Sequence, residues 1–201
     1  VIYNLKSDNA ISSNHMEMYA QDTWRRESSK GIFSLNYGMR FSYWSWNKEW
    51  LLSPRASLTF IPKNHDNMTF RLATGLYYQR PFYKELKDTI TNGATTIVQL
   101  NQDIQSQRSF QVIAGYEYRF KIGKRPFLFA TELYYKAQDR LNPYTVDNTK
   151  IVYYGRNCAT GNVLGADFKL YGEFVPGTDS WLTFSLMRAR MDINSKNIPQ
   201  P

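Results

Sequence analysis

Few residues in the chain could do covalent or metal chemistry. Two histidines, His15 and His65, and one cysteine, Cys158, are scattered over 201 residues, so no Cys/His spacing for a metal site exists and no internal disulfide can form. A Gly-rich phosphate loop, a G-x-S-x-G elbow and an H-E-x-x-H pair are all missing from the sequence. A Ser/His hydrolase would need one of the two imidazoles as its base. His65 falls in a turn expected over Lys63 to Asn67, where it is solvated. His15 shares a strand face with Glu17, as a neutral histidine at a polar rim would. Carboxylates and arginines on neighbouring strands read as charge ladders. Neither an enzyme nor a cofactor is expected.

The remaining chemistry is recognition by charge and by aromatic rings. The chain has 15 Tyr, 12 Phe and 5 Trp and a net charge of +8. In and beside four short expected turns, Arg25, Arg26, Lys30, Lys63, Lys121, Lys124 and Arg125 outnumber Glu27, Asp66 and Asp179 by four, which is half of that excess. Nucleic-acid binding needs Lys and Arg interleaved with exposed rings on one continuous surface, which this ring of turn charges does not provide. A basic rim suits anionic lipid headgroups instead.

The elements that position these residues read as strands. Period-two alternation is sustained from Ile32 to Trp46, with Phe33, Leu35, Tyr37, Met39, Phe41 and Tyr43 on one face and Ser34, Asn36, Gly38, Arg40 and Ser42 on the other. The same pattern holds for Met68 to Gln79, Ser109 to Lys121, Phe127 to Lys136 and Gly165 to Phe174. Pro54 to Ile61, Leu182 to Arg188 and Ile11 to Trp24 complete eight. Four connections are short and rich in turn formers: Arg25 to Gly31, Pro62 to Asn67, Gly123 to Pro126 and Pro176 to Ser180. Between them lie a tight link, Asn47 to Trp50, and two long polar excursions, Arg80 to Gln107 and Ala137 to Asn162.

Strand length indicates which solvent each face meets. The longest apolar run is four residues, so no helix of the roughly 20 apolar residues needed to span a bilayer is possible. Strands of soluble proteins usually run about 5 to 6 residues, whereas several here alternate for 10 to 13. At about 3.3 Å per residue and a 45° tilt, 11 residues rise roughly 26 Å, the height of the lipid-facing band of an outer-membrane barrel. Trp24 and Trp181 beside the short turns, and Trp44, Trp46, Trp50, Tyr77, Tyr78 and Tyr83 at the other end, are expected to form two interfacial girdles. The fold class expected is all-β, an antiparallel up-and-down transmembrane β-barrel segment. A complete eight-stranded barrel with a structural or adhesive role, and a soluble carbohydrate-binding β-sandwich, are the alternatives.

Particular segments carry a family resemblance. MYAQDTW (Met18 to Trp24), LNYGMRFSY (Leu35 to Tyr43), LSPRASLTFIPK (Leu52 to Lys63), FRLATGLYYQRPFYKEL (Phe70 to Leu86) and YYGRNCATGNVLGADFKLYGEFVPGTDSW (Tyr153 to Trp181) resemble, in order and spacing, the barrel strands of TonB-dependent outer-membrane receptors. The likeness is greatest to their Bacteroidetes branch. It implies about eight strands from the C-terminal half of a 22-stranded barrel, with residues 1–201 belonging to the barrel domain and the plug domain absent. It also implies a bacterial outer-membrane location and TonB-driven import of a siderophore, cobalamin, glycan or peptide. The partners implied are outer-membrane lipid, the TonB, ExbB and ExbD proteins acting through the plug, and a surface lipoprotein.

On that resemblance, Tyr77, Gln79, Arg80 and Tyr83 stand where a strand leaves the membrane and would offer stacking faces and donors to the ligand. Arg40, Arg71, Arg119, Glu132 and Lys136 would face the lumen or the plug. The two long excursions would serve as ligand-facing lids.

Overall fold

The computed structural model describes residues 10–92 and 95–193. In chain order the strands are β1 (His15–Ser28), β2 (Gly31–Trp44), β3 (Glu49–Pro62), β4 (Met68–Gln79), β5 (Lys87–Asn92), β6 (Thr95–Leu100), β7 (Gln107–Ile122), β8 (Arg125–Leu141), β9 (Tyr144–Asp147), β10 (Lys150–Tyr153), β11 (Ala159–Val175) and β12 (Thr178–Ile193). Eight of them form one sheet in the order β1-β2-β3-β4-β7-β8-β11-β12, every neighbour antiparallel. The other four make two separate hairpins inside the long excursions. The first excursion includes residues 93 and 94, which lie outside the described ones.

All eight expected strands are present, and β4 has the expected bounds. The others extend further toward their turns. Arg25, Arg26 and Glu27, expected in a turn, instead pair with Ser34, Phe33 and Ile32, so β1 begins and ends four residues later than the alternation suggests. Charge marks the watery end of a strand as readily as it marks a loop. The reversals shrink to Ser29–Lys30, Lys63–Asn67, Gly123–Lys124 and Pro176–Gly177, with Gly123 and Gly177 at φ +65° and +79°, where glycine has no Cβ to clash. The tight link becomes Ser45–Lys48, and β2 stops at Trp44.

Register turns alternation into continuous rows. Trp24, Leu35, Leu58, Leu72, Ala114, Leu133, Ala166 and Leu186 are cross-strand partners in succession across the whole sheet. One row nearer the short turns, Phe33, Phe60, Phe70 and Tyr116 form an aromatic ladder with successive ring centroids 4.4, 6.3 and 5.1 Å apart, close enough for favourable ring pairing. Among the described residues no second layer covers the face these residues line: Leu133, Leu182 and Phe184 are 56%, 65% and 56% exposed.

The opposite face carries Arg40, Arg55, Arg71, Glu117, Arg119, Glu132 and Lys136 among Ser, Thr and Gly. Space there is shared between large and small partners. The Tyr134 ring covers its cross-strand partner Gly165, where a Cβ would come within 2.3 Å of the ring.

Two expectations about aromatics fail. Trp181 pairs with Tyr171 on the polar face, and Trp44 and Tyr77 also lie on that face, leaving Trp24, Trp50 and Tyr78 of the expected girdles on the apolar one. Near a strand end either face is wet, so a ring there is not confined to the lipid side. The alternatives are also corrected. Among the described residues β1 and β12 do not pair with each other, so eight strands do not close a barrel, and no second sheet packs on the first as a sandwich requires.

A wall one sheet thick buries few large side chains, Leu51 and Phe127 among them, and the hydrophobic cluster sits elsewhere. Trp44, Leu86 and Ile104 form a small cluster, with Ile11, Trp46 and Leu100 against it. This cluster joins the ends of β2 and β6 to the segments following β4 and β6, at the outer end of the sheet.

Candidate functional site

The outer end is an ordered cap built from the three connections. Glu49, at the start of β3, accepts hydrogen bonds at Oε2 from the Ser106 hydroxyl at 2.6 Å, the Ser106 amide at 3.0 Å and Asn47 Nδ2 at 3.1 Å, while Arg140 Nη1 stands 3.6 Å from Oε1. The Asn47 amide also donates to the Ile104 carbonyl. Asn157 donates to the carbonyls of Gln105 and Arg140 and accepts from the Gln105 amide, clamping the two long connections together. Buried Glu85 accepts from the Phe82 amide and from Gln107 Nε2. These donors compensate Glu85, and Glu49 at Oε2, for the loss of water, while the buried Glu49 Oε1 accepts no hydrogen bond among the described residues and has the Arg140 guanidinium near it. The bases of the long excursions are therefore fixed to the wall, and hairpins β5–β6 and β9–β10 rise from them.

Below the cap, on the polar face between β1 and β4, lies a groove of ≈ 530 Å³ lined by Tyr19, Asn36, Arg40, Arg55, Ser57 and Tyr77 among others. It holds two of the expected residues. Tyr77 lies beneath the Arg55 guanidinium, 4.7 Å from its ring centroid. Arg40 donates to Glu17 Oε2 at 3.0 Å. Arg80 crosses to the same carboxylate, 3.2 Å from Oε1, and His15 Nε2 stands 3.0 Å from that oxygen. Arg80, expected at the mouth, and Arg40, expected in the lumen, thus meet on one acid. Gln79 ends β4 opposite Gln107, and Tyr83 lies in the connection with Lys87 Nζ 4.9 Å from its ring centroid.

The other expected lumen residues fall into two groups. Arg71 and Arg119 share the single carboxylate of Glu117 within the wall. Glu132 lies directly opposite Asp167, and no ion pair among the described residues joins them to Lys136 or Lys169. Like charges face to face on a sheet repel, which leaves this part of the wall favourable to a cation.

Glu17, Arg55, Tyr19 and Glu49 had no expected role in binding. The spacing from His15 to Glu17 was the only available sign for Glu17; the partners of all four depend on strand register and loop packing. Replacing Glu17 by Gln should lower stability by only about 1 kcal/mol, because partly exposed ion pairs are each worth roughly 0.2–1 kcal/mol. Urea unfolding of the receptor in lipid vesicles would measure this. A loss several times larger would mean that Glu17 is the keystone of the outer rim.

An antiparallel sheet with one exposed apolar face, one charged face, short turns at one end and folded connections at the other is the wall of a transmembrane β-barrel. The family model described as TonB dependent receptor-like, beta-barrel, matches residues 2–200, and the chain belongs to that family. No curated protein matches it. Membership places the chain with the bacterial outer-membrane transporters that work with the TonB system, which are transporters and not enzymes.

Proposed function

We propose that the chain forms about eight strands of the wall of a 22-stranded, plugged receptor of the Bacteroidetes type, importing a scarce siderophore, cobalamin, glycan or peptide. The openness of the sheet supports this reading: among the described residues β1 and β12 each have one edge without a neighbour, and an unpaired edge in lipid is costly enough to call for a partner strand. Ligand meets the wall at the groove, where Tyr77 presents a ring and Arg40 and Arg55 present guanidiniums; Arg80, Gln79 and Tyr83 extend this surface outward. Their planar donors suit carboxylate, catecholate-like or sugar hydroxyl groups.

Glu132 and Asp167, with Lys136 beside them, face the plug, and Arg71 and Arg119 stiffen the wall against it. Pulling on the plug by TonB, energised by ExbB and ExbD, opens the path. A surface lipoprotein seats on the outer cap.

Growth of a receptor-deletion strain on single scarce sources of iron, cobalamin, peptide or glycan tests this. Restoring the wild-type gene should restore growth on one class of source, and only with TonB intact. Growth independent of TonB would contradict the proposal. On the identified source, Tyr77→Ala should weaken surface binding about fivefold, the equivalent of roughly 1 kcal/mol for a lost ring contact. Arg71→Ala should leave binding unchanged.

A further inference from the structure

Cross-strand pairing is uneven along the wall. β2 and β3 are partners over fourteen successive residue pairs, from Gly31↔Pro62 to Trp44↔Glu49, and β4 and β7 over twelve, from Met68↔Tyr118 to Gln79↔Gln107. Among the described residues β3 and β4 are partners over only six, from Phe60↔Phe70 to Arg55↔Gly75. Beyond that last pair both strands continue outward, β3 from Pro54 to Glu49 and β4 from Leu76 to Gln79, each still joined to its other neighbour.

The residues explain where this ladder stops. Pro54, the next residue of β3, has no N–H to donate. Gly75, the last paired residue of β4, lies under the Tyr77 ring, and a Cβ there would come within 2.9 Å of that ring. The Arg55 guanidinium covers the ring in turn. A proline within a sheet belongs at an edge, so the outer part of the β3–β4 boundary amounts to two edges side by side. Strands added beyond β1 or β12 leave this boundary as it is, because both of its sides lie within the sheet.

Height puts the boundary in the membrane. Pro54 stands four residues outward of Leu58, a rise of roughly 9 Å for a tilted strand, in the outer half of the apolar band. Leu52 and Leu76 flank the boundary on the lipid face, and Ser53 and Tyr77 flank it on the groove side. Backbone groups without a ladder partner are costly in lipid, and the groove brings water to them from the interior. The two sides are tied by the cap instead of by a ladder. The Ser106 amide and hydroxyl, beside β7, donate to Glu49 on β3, and Asn47 donates to the Ile104 carbonyl.

We propose that the outer part of the β3–β4 boundary is a lateral gate between the groove and the outer leaflet, latched by Glu49 on Ser106. When the latch is released the strands part as far as Arg55↔Gly75, and an acyl chain gains a path from the bilayer to the groove beside Tyr77. The gate rests on the outer-membrane reading and not on which ligand is imported.

Spin-label pairs in a Cys158→Ser receptor in liposomes test it, one pair at 52 and 78 across the boundary and one at 56 and 74 across the paired part. Heat-modifiable gel migration first establishes a folded barrel; its absence in the wild type would overturn the membrane reading and the gate with it. Dipolar broadening should give a short 56/74 distance in every variant. The 52/78 distance should lengthen in Glu49→Gln/Ser106→Ala by about one strand spacing, roughly 5 Å. Asn47→Ala, which removes the second tie, should lengthen it less and serves in place of the double variant should that not assemble. A phospholipid with a photoactivatable diazirine in its acyl chain should label Leu52 equally in wild type and latch variants, and Ser53 and Tyr77 severalfold more in the variants. No lengthening of 52/78 in a folded latch variant, equal lengthening of 56/74, or no rise in lipid labelling of Ser53 and Tyr77 would overturn the gate.

Discussion

Leu58→Arg should destabilise the receptor in a bilayer by about 2–4 kcal/mol, the cost of a cation on the lipid face of a barrel near mid-membrane. Leu58 stands between Leu35 and Leu72 in the apolar row that crosses all eight strands. Its neighbour Ser57 points the other way, between Asn36 and Ala73, and its hydroxyl accepts only a long 3.5 Å contact from Asn36. Ser57→Arg should therefore change stability by no more than about 0.5 kcal/mol, as surface substitutions usually do. Urea titrations of both variants in phospholipid vesicles make the comparison. Equal penalties would mean that the faces have been assigned the wrong way round.

The second large effect is expected at the cap. Ile104 is 1% exposed and packs with Trp44 and Leu86, so Ile104→Ala should remove about 2–5 kcal/mol from that cluster through lost burial and the cavity left behind. The loss should be local, because the cap is the one place where the described residues form a buried core, while the wall is held by strand pairing that Ile104 does not touch. Protease cleavage and hydrogen exchange across 80–86 and 101–106 should rise sharply. The temperature at which the barrel loses its heat-modifiable gel shift should stay within a few degrees. A collapse of the whole barrel without earlier cap cleavage would show that cap and wall are one cooperative unit.

Much of this architecture is legible in the sequence because a membrane wall writes itself with period two. Phe33 to Tyr43 and Met68 to Gln79 give both strand and face directly, and register follows once the short turns are located. Strand ends are harder to read: Arg25, Arg26 and Glu27 look like turn residues, yet they occupy paired positions at the watery end of β1. The cap is the least legible part. Glu49, Asn47, Ser106 and Asn157 lie up to 110 residues apart in the chain, and only packing of three connections makes them partners.

The groove is intermediate. Tyr77 and Arg40 are recognisable as polar-face residues at the outer end, but the meeting of Arg40 and Arg80 on Glu17 joins β1 and β2 to the residue that follows β4. The same limit applies to Arg55, which alternation places on the polar face without showing that it stacks on Tyr77.

The central claim is that alternate residues of one strand face lipid and an aqueous interior. Single spin labels at positions 56 to 60 of β3, introduced into a Cys158→Ser receptor in liposomes, test it most directly when their collision rates with oxygen, which concentrates in lipid, and with a water-soluble nickel chelate are compared. Oxygen accessibility should peak at 56, 58 and 60 and chelate accessibility at 57 and 59. Equal accessibility at all five positions, or the opposite phase, would contradict a transmembrane wall with Leu58 toward the bilayer.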